Sequence, residues 1–155
     1  MQVIAHRANL SGPRGSEENH PDAIGECLAR GFGVELDLWT LNGEHWLGHD
    51  SPTYRIDLSR FDRVAVYFHL KTPHIPPLTN ADVFAIDRDP YAITMRGRIW
   101  TNYGQPASAV GIMCAPELVG ADEPLEQFMN RITGAFGICT DFPARAKELQ
   151  DAWNR

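Results

Sequence analysis

The sequence predicts an α/β domain with a compact (β/α)8, or TIM-barrel-like, fold in which some outer helices are reduced or missing. The chain has 155 residues, 43% of them hydrophobic, so it is long enough to form one buried core as a single domain over residues 1–155. Apolar runs of strand length recur along it, and VAVYF and VFAI suit strands buried on both faces of a parallel sheet. Turns and a few helical segments alternate with these runs, as in α/β folds.

Eight strands are predicted in chain order. They cover residues 3–5, 33–38, 45–48, 64–70, 83–86, 98–101, 110–114 and 137–140. Asn42 and Gly43 favour a tight turn after the second strand, so we expect the chain to turn back there. A (β/α)8 barrel normally has about 250 residues. This chain offers only roughly 19 residues per strand, against the roughly 30 of a βαβ unit, so several outer helices must be short or absent.

Three helices are indicated by their apolar spacing and by helix-start signals. They cover residues 21–31, 122–132 and 143–155. Asn19 or His20 is expected to cap the first helix, and Asp122 the second. The residues of the third helix predicted to face inward are Ala146, Leu149 and Trp153. The segments TPHIPPLTN and RDPYAITMRG are rich in Pro and turn residues, so full helices are not expected there.

Charge and cysteine content restrict the classes of partner. A formal net charge of -6 argues against nucleic-acid binding, which usually uses a basic face. A small phosphorylated substrate remains compatible, because a local cluster of cations can override a mild global field. The cysteines Cys27, Cys114 and Cys139 are widely spaced and form no CxxC, which favours reduced thiols in a cytoplasmic protein. No segment approaches the roughly 20 apolar residues that span a membrane, and the oligomeric state is left open.

Polar and charged side chains appear where the apolar runs stop. In chain order they are His6-Arg7, Glu35, Asp37, His49-Asp50, His69, Lys71 and Asp87-Arg88. A spacing of two puts Glu35 and Asp37 on one face of their strand. The carboxyl ends of barrel strands converge at one mouth, where such barrels carry their chemistry. The pattern therefore predicts a single pocket that contains carboxylates, imidazoles and cations.

This mixture of residues is suited to phosphodiester cleavage. Two carboxylates, Glu35 and Asp37, suit a hard divalent cation such as Mg²⁺ or Ca²⁺. Arg and Lys side chains bind phosphate oxygens, and two histidines can act as general base and general acid. A structural alternative uses the same residues, because Arg7 and Lys71 could pair with the two carboxylates as an ion network. The carboxylates alone do not decide between the two interpretations.

The stretch VIAHRAN…EENHPDAIGECLARGFGVELDLWTLNGEHWLGHD resembles the N-terminal signature of the glycerophosphodiester phosphodiesterases. That signature has a His-Arg pair, a Glu-Asn before the first helix, Glu-x-Asp closing the second strand and a later His-Asp. Further along the chain, HLK resembles the family's Glu-x-Lys, IWTN its Trp-Thr-x-Asn and GICTDFP its Thr-Asp-x-Pro. The resemblance spans nearly the whole chain in the same order, and its first half is the more specific. Short proteins similar to the glycerophosphodiester phosphodiesterases, with His in place of the Glu of Glu-x-Lys on the fourth strand, also resemble this chain.

The resemblance implies a metal-dependent phosphodiesterase acting on a small phosphodiester. The residues that match are His6 and His49 as catalytic residues, Arg7, Lys71 and Trp100 as substrate contacts, and Glu35, Asp37 and His69 as metal ligands. The implied cofactor is Mg²⁺ or Ca²⁺, with Mn²⁺ as an alternative. His69 stands where the family has its third acidic ligand, and imidazole shifts a site towards Mn²⁺, Zn²⁺ and other borderline ions.

Two further roles remain alternatives at this stage. The first is a phospholipase D-like lyase of the sphingomyelinase D type, a class that resembles the same family and uses two histidines in the same way. The second is a non-catalytic barrel that keeps the phosphate and metal pocket but has lost turnover. Glu18, in the Glu-Asn pair, is expected either to contact the pocket or to cap the first helix. Asp87 is a further candidate ligand.

Overall fold

A curled sheet of ten strands with three α-helices organises residues 1–154, which are the residues that the computed structural model describes. The strands are β1 Gln2–Ala5, β2 Gly33–Leu41, β3 Glu44–Leu47, β4 Tyr54–Ile56, β5 Val66–Leu70, β6 Asp82–Phe84, β7 Tyr91–Ile93, β8 Ile99–Thr101, β9 Gly111–Cys114 and β10 Gly137–Thr140. The helices are α1 Pro21–Ala29, α2 Leu125–Arg131 and α3 Pro143–Trp153. Arg155, the predicted end of the third helix, lies outside the described residues.

Seven of the strands run parallel in the order β6-β5-β2-β1-β10-β9-β8. Their carboxyl ends therefore share one edge of the sheet, as the sequence predicts. The α/β class is confirmed, but a closed eight-stranded barrel is not observed. Between β6 and β8, no strand ladder joins the two ends of the curl in residues 1–154.

The third predicted strand, residues 45–48, was counted among the eight strands of the barrel. That assignment is wrong, whereas the expected turn at Asn42 and Gly43 is confirmed. The predicted strand corresponds to β3, which runs antiparallel to the extended end of β2. Asn42 and Gly43 have φ of 51° and 80°, and a connection of two residues can join only antiparallel strands. A further strand, β4, pairs with β3. It was not predicted, and neither was β7, which pairs antiparallel with β8.

Aromatic packing covers the open side of the curl. The ring of Phe84 at the end of β6 stacks on Trp100 of β8, with centroids 4.0 Å apart and planes at 14°. One backbone hydrogen bond also reaches β6, from the N–H of Met95 to the carbonyl of Val83 at 3.0 Å. The residues between β6 and β8 form β7, which pairs antiparallel with β8, so no segment remains there for an additional parallel strand.

The helices follow the predictions except at their ends. The imidazole of His20 accepts a hydrogen bond from the backbone N–H of Asp22 and caps α1. The predicted cap Asp122 is wrong, since Pro124 disfavours a helical residue before it and α2 begins only at Leu125. Trp153 was expected to face inward, but it is 41% exposed because it lies one turn beyond Leu149, the last core residue. No α-helix occurs between residues 61 and 115, as predicted.

The core has two parts, one on each face of the curled sheet. Residues Val3 and Ala5 of β1 pack with the helices on the outer face, whereas Ile4 points to the inside of the curl. The inner cluster consists of Ile4, Tyr67, Phe84, Trp100, Ile112, Cys114 and Cys139. Cys114 and Cys139 lie in this inner cluster as buried free thiols. None of the helices formed by residues 1–154 combines the length and the apolar character needed to cross a bilayer.

We expect Gly48→Ala to destabilise the hairpin end that carries His49. Gly48 has a φ of 150°, and a Cβ there would collide with the backbone carbonyl of Ser51. The free energy of unfolding in urea should fall by about 1–3 kcal/mol, the usual cost of such backbone strain. Gly25→Ala is the matched control, because no atom lies within 4 Å of a Cβ there. It should stabilise α1 by about 0.5–1 kcal/mol, and an equal loss in both variants would contradict this account.

Candidate functional site

The alternation of side chains along β2 brings two acidic residues to the inside of the curl. Val34, Leu36 and Leu38 pack into the outer core, so Glu35 and Asp37 point the opposite way. Both carboxylates are almost fully buried, at 2% and 1% exposed. The prediction that they share one face of a strand is therefore confirmed.

Strand β5 adds His69 to this pair. In the parallel register Asp37 lies beside His69. His69 Nδ1 is 3.2 Å from Asp37 Oδ1 and 3.9 Å from Glu35 Oε1. One ligand atom from each of the three residues lies within 4.8 Å of the others, so the cluster could hold a metal ion.

The imidazole of His69 has a fixed orientation. Its Nε2 lies 2.9 Å from the carbonyl oxygen of Ile86. Because a carbonyl oxygen can only accept a hydrogen bond, Nε2 must carry the proton. The ring also stacks on Phe84, with centroids 5.1 Å apart and planes at 5°. The other nitrogen, Nδ1, therefore faces the two carboxylates.

Burial and charge move the pKa values of the cluster in different directions. Burial, and then the charge of Asp37, raise the pKa of Glu35. Burial alone would raise the pKa of Asp37 as well, but the hydrogen bond with His69 and the charges of Lys71 and Arg7 outweigh it and lower this pKa. Burial would lower the pKa of His69, but the bond to Asp37 and the charge of Glu35 raise it overall. The cluster therefore favours positive charge beside it, whether a proton or a cation.

Asp37 already has several partners within the protein. Asn19 donates to its Oδ2 at 3.0 Å and accepts from its backbone N–H at 2.9 Å. Arg7 Nε lies 3.2 Å from Oδ2, and Lys71 Nζ lies 3.4 Å from Oδ1. The ion pairs of the structural alternative thus exist for Asp37. For Glu35, the backbone N–H of Arg7 donates to Oε2 at 3.1 Å, while Oε1 accepts no hydrogen bond from residues 1–154.

More acidic than basic groups surround the cluster. The carboxylates are Glu18, Glu35, Asp37 and Asp141, and the permanent cations are Arg7 and Lys71. Glu18 contacts the site through Arg7 Nη1 at 2.9 Å and does not cap α1. Four carboxylates against two cations leave an excess of two negative charges when the imidazoles are neutral. Either one divalent cation or protonation of both His6 and His69, whose pKa values are raised by the neighbouring carboxylates, would balance that excess.

His6 lies beside the cluster and is held by Asp141. Its Nδ1 donates to Asp141 Oδ1 at 2.8 Å, and its Nε2 lies 3.9 Å from Glu35 Oε2. Burial lowers the pKa of His6, but the bond to Asp141 and the charge of Glu35 raise it overall. The sequence patterns did not single out Asp141 as a partner of His6. The available signal for this contact was its place in TDFP, the last of the segments that carry the family resemblance.

The antiparallel hairpin brings His49 to the same mouth. The backbone N–H of Gly48 donates to the carbonyl of Asp37 at 3.2 Å, which anchors the end of β3 beside the cluster. The side chain of His49 is 40% exposed, and its Nδ1 donates to Asp50 Oδ1 at 2.7 Å. His49 therefore reaches the predicted position, although it does not follow a parallel strand.

A cavity of about 450 Å³ opens at this mouth. The predicted residues that line it are His6, Arg7, Glu35, His49, His69, Lys71 and Trp100. Asp37 lies behind them, in contact with His69. Trp100 is only 3% exposed and is stacked on Phe84, so little of its ring is available to a substrate. Asp87 also borders the cavity but is not part of the three-residue cluster.

Comparisons with family models, with curated proteins and with solved structures find no match for this chain. Its function must therefore be inferred from the residues themselves. The predicted residues that meet at one mouth lie within β2, β5 and β8 or just after β1, β3 and β5. Cys114 and Cys139 form part of the cavity lining beneath them.

We expect the buried thiols to make stability fall at high pH. Burial raises the pKa of Cys27 to about 11, so folding favours its neutral thiol. That contribution is fully present below the ordinary thiol pKa of about 8.5, and it is lost as the pH rises towards about 11, by up to about 1.4 kcal/mol per pH unit. Urea unfolding of the wild type and Cys27→Ala across this range measures it. Parallel pH dependences in the two proteins would contradict the prediction.

Proposed function

We propose that this protein is a metal-dependent phosphodiesterase of the glycerophosphodiester phosphodiesterase type, acting on a small phosphodiester. The observation that carries the proposal is the buried cluster of Glu35, Asp37 and His69 facing a cavity that also contains two further imidazoles and two cations. Each of these groups has a role in cleaving a phosphodiester. A purely structural ion network would not require the imidazole of His49 at the rim of the cavity.

The acidic cluster supplies the metal site of this proposal. The ligand atoms would be Glu35 Oε1, which accepts no hydrogen bond from residues 1–154, together with His69 Nδ1 and one oxygen of Asp37. The excess of negative charge around the cluster favours a divalent cation. A bound cation would supply Lewis-acid stabilisation of a phosphate oxygen, a contribution typically worth several kcal/mol.

Arg7 and Lys71 are the phosphate-binding groups. Both line the cavity and both lie within 3.4 Å of Asp37, so the same carboxylate holds each of them at the mouth. A guanidinium and an ammonium neutralise the charge that develops on phosphate oxygens during transfer. Their ion pairs with Asp37 position them for this role without removing them from the cavity.

His6 and His49 divide the proton transfers. Both rings donate through Nδ1 to an aspartate, Asp141 for His6 and Asp50 for His49, so both leave Nε2 as the reactive nitrogen. One ring takes a proton from the attacking water or substrate hydroxyl, and the other gives a proton to the leaving alcohol. The aspartates hold the tautomers, as in other imidazole–carboxylate pairs.

The sheet supports assignment of the chain to a reduced (β/α)8 barrel. Around the curl, the parallel strands follow one another in chain order, from β1 through β2, β5 and β6 to β8, β9 and β10. The last of them pairs again with β1. A barrel that has lost one parallel strand and most of its outer helices would have this arrangement. The missing strand corresponds to the open side between β6 and β8.

A non-catalytic binding role is the second candidate. The observation in its favour is that Asp37 already has partners in Asn19, Arg7, Lys71 and His69, so the cluster is partly neutralised within the protein. A pocket of this kind could retain phosphate and metal without turnover. The following experiment separates the two candidates.

We expect turnover of bis(p-nitrophenyl) phosphate or a glycerophosphodiester in the presence of a divalent cation. His6→Ala and His49→Ala should each lower kcat by about 10²–10⁴-fold, the usual worth of one proton-transfer group. Release of p-nitrophenolate or of the free alcohol measures the rate. His74→Ala is the matched control, because His74 is exposed and does not line the cavity. Metal and phosphate binding without turnover for any metal would favour the non-catalytic candidate.

A further inference from the structure

We propose that the Glu35–Asp37–His69 cluster selects a borderline transition ion, with Zn²⁺ and Co²⁺ bound more tightly than Ca²⁺ or Mg²⁺. The inference rests on the proposed function in taking these residues as metal ligands, but it does not require turnover. It narrows the cation expected from the family resemblance, Mg²⁺ or Ca²⁺. The selecting group is the imidazole of His69.

The nitrogen of His69 is prepared as a ligand by its surroundings. Its Nε2–H donates to the carbonyl of Ile86 at 2.9 Å, so Nδ1 is the nitrogen that faces the carboxylates. A bound cation would take the place of the proton that Nδ1 shares with Asp37. A backbone carbonyl that fixes the tautomer in this way is the usual partner of a metal-binding histidine. Neutral imidazole suits Zn²⁺ and other late transition ions, whereas Ca²⁺ and Mg²⁺ take oxygen ligands.

The imidazole of His69 cannot rotate without losing the contacts that hold it. His69 stacks on Phe84, which in turn stacks on Trp100 at 4.0 Å. Turning the ring over would break the bond to Ile86, and turning it out of plane would break the stack. The nitrogen therefore stays 3.2 Å from Asp37 Oδ1 and 3.9 Å from Glu35 Oε1, where it would act as a ligand together with the carboxylates.

The supply of free oxygen ligands is small. Glu35 Oε2 accepts from the backbone N–H of Arg7, and Asp37 Oδ2 accepts from Asn19. Asp37 Oδ1 is shared with Lys71 at 3.4 Å. Ca²⁺ needs about 6–8 oxygens, whereas Zn²⁺ is satisfied by about four ligands, one of which can be water or substrate. In residues 1–154, no other carboxylate, thiol or imidazole joins the three-residue cluster.

The test measures metal binding directly on the full chain after removal of metals with a chelator. Calorimetric titrations with ZnCl2, CoCl2, MnCl2, CaCl2 and MgCl2 give each Kd, and the visible absorption of bound Co²⁺ reports nitrogen ligation. We expect Zn²⁺ and Co²⁺ to bind at least on the order of tenfold more tightly than Ca²⁺ or Mg²⁺. Equal or tighter binding of Ca²⁺ or Mg²⁺ would overturn the inference.

Two variants of His69 assign the selectivity to its ring. His69→Glu supplies an oxygen ligand, so the ratio of Ca²⁺ to Zn²⁺ dissociation constants should fall by on the order of tenfold or more. His69→Gln removes the imidazole nitrogen with little change in size, and it should weaken Zn²⁺ binding and change the Co²⁺ spectrum. Circular dichroism checks that each variant is folded. His74→Glu makes the same change in charge at an exposed histidine outside the cavity and should leave every Kd unchanged.

The outcomes for the ion and for the enzyme can be distinguished. Zn²⁺-selective binding that depends on His69, without cleavage of any diester, keeps this inference and rejects the phosphodiesterase. Diester cleavage supported equally by Ca²⁺, with no preference for Zn²⁺ in the titrations, keeps the phosphodiesterase and rejects this inference. Binding of no divalent ion rejects both.

Discussion

The burial of two carboxylates on the inside of a curled sheet is the constraint on which the rest of this structure depends. An unpaired buried carboxylate is costly, so the surrounding residues must supply donors or positive charge. Asp37 obtains them from Asn19, Arg7, Lys71 and His69. Glu35 obtains much less, and burial together with the charge of Asp37 raises the pKa of its carboxyl. The metal-binding role proposed for the site depends on this difference between the two carboxylates of one strand: Asp37 has several partners, whereas Glu35 has few.

The topology allows so short a chain to bring these charged groups together. Parallel strands deliver their last residues to one edge, so groups separated by tens of positions meet without any dedicated loops. The hairpin after β2 brings His49 back to the same edge, with Gly48 bonded to the backbone of Asp37. The residues that hold each ring, Asp141 for His6 and Ile86 for His69, come from distant parts of the chain. Few elements are thus sufficient to build a pocket with many polar groups.

Sequence patterns predicted most of this arrangement because local periodicity determines it. Apolar runs located all of the buried strands, and a spacing of two placed Glu35 and Asp37 on one face. Strands β4 and β7 were missed, since each has three residues, most of them at least partly exposed. The open side between β6 and β8 and the pairing of His6 with Asp141 depend on contacts between distant segments. Likewise, no local signal reveals which nitrogen of His69 carries the proton.

The stack of rings on the open side has a mechanical consequence. A ladder of backbone hydrogen bonds fixes the register of two strands, whereas stacked rings resist separation but allow some lateral sliding. The three rings of His69, Phe84 and Trp100 form a continuous column from the cluster to β8. Trp100 at the buried end of that column is thus linked to the imidazole of His69 through two direct ring contacts. In this protein the geometry offered to an ion therefore depends on the packing of these rings.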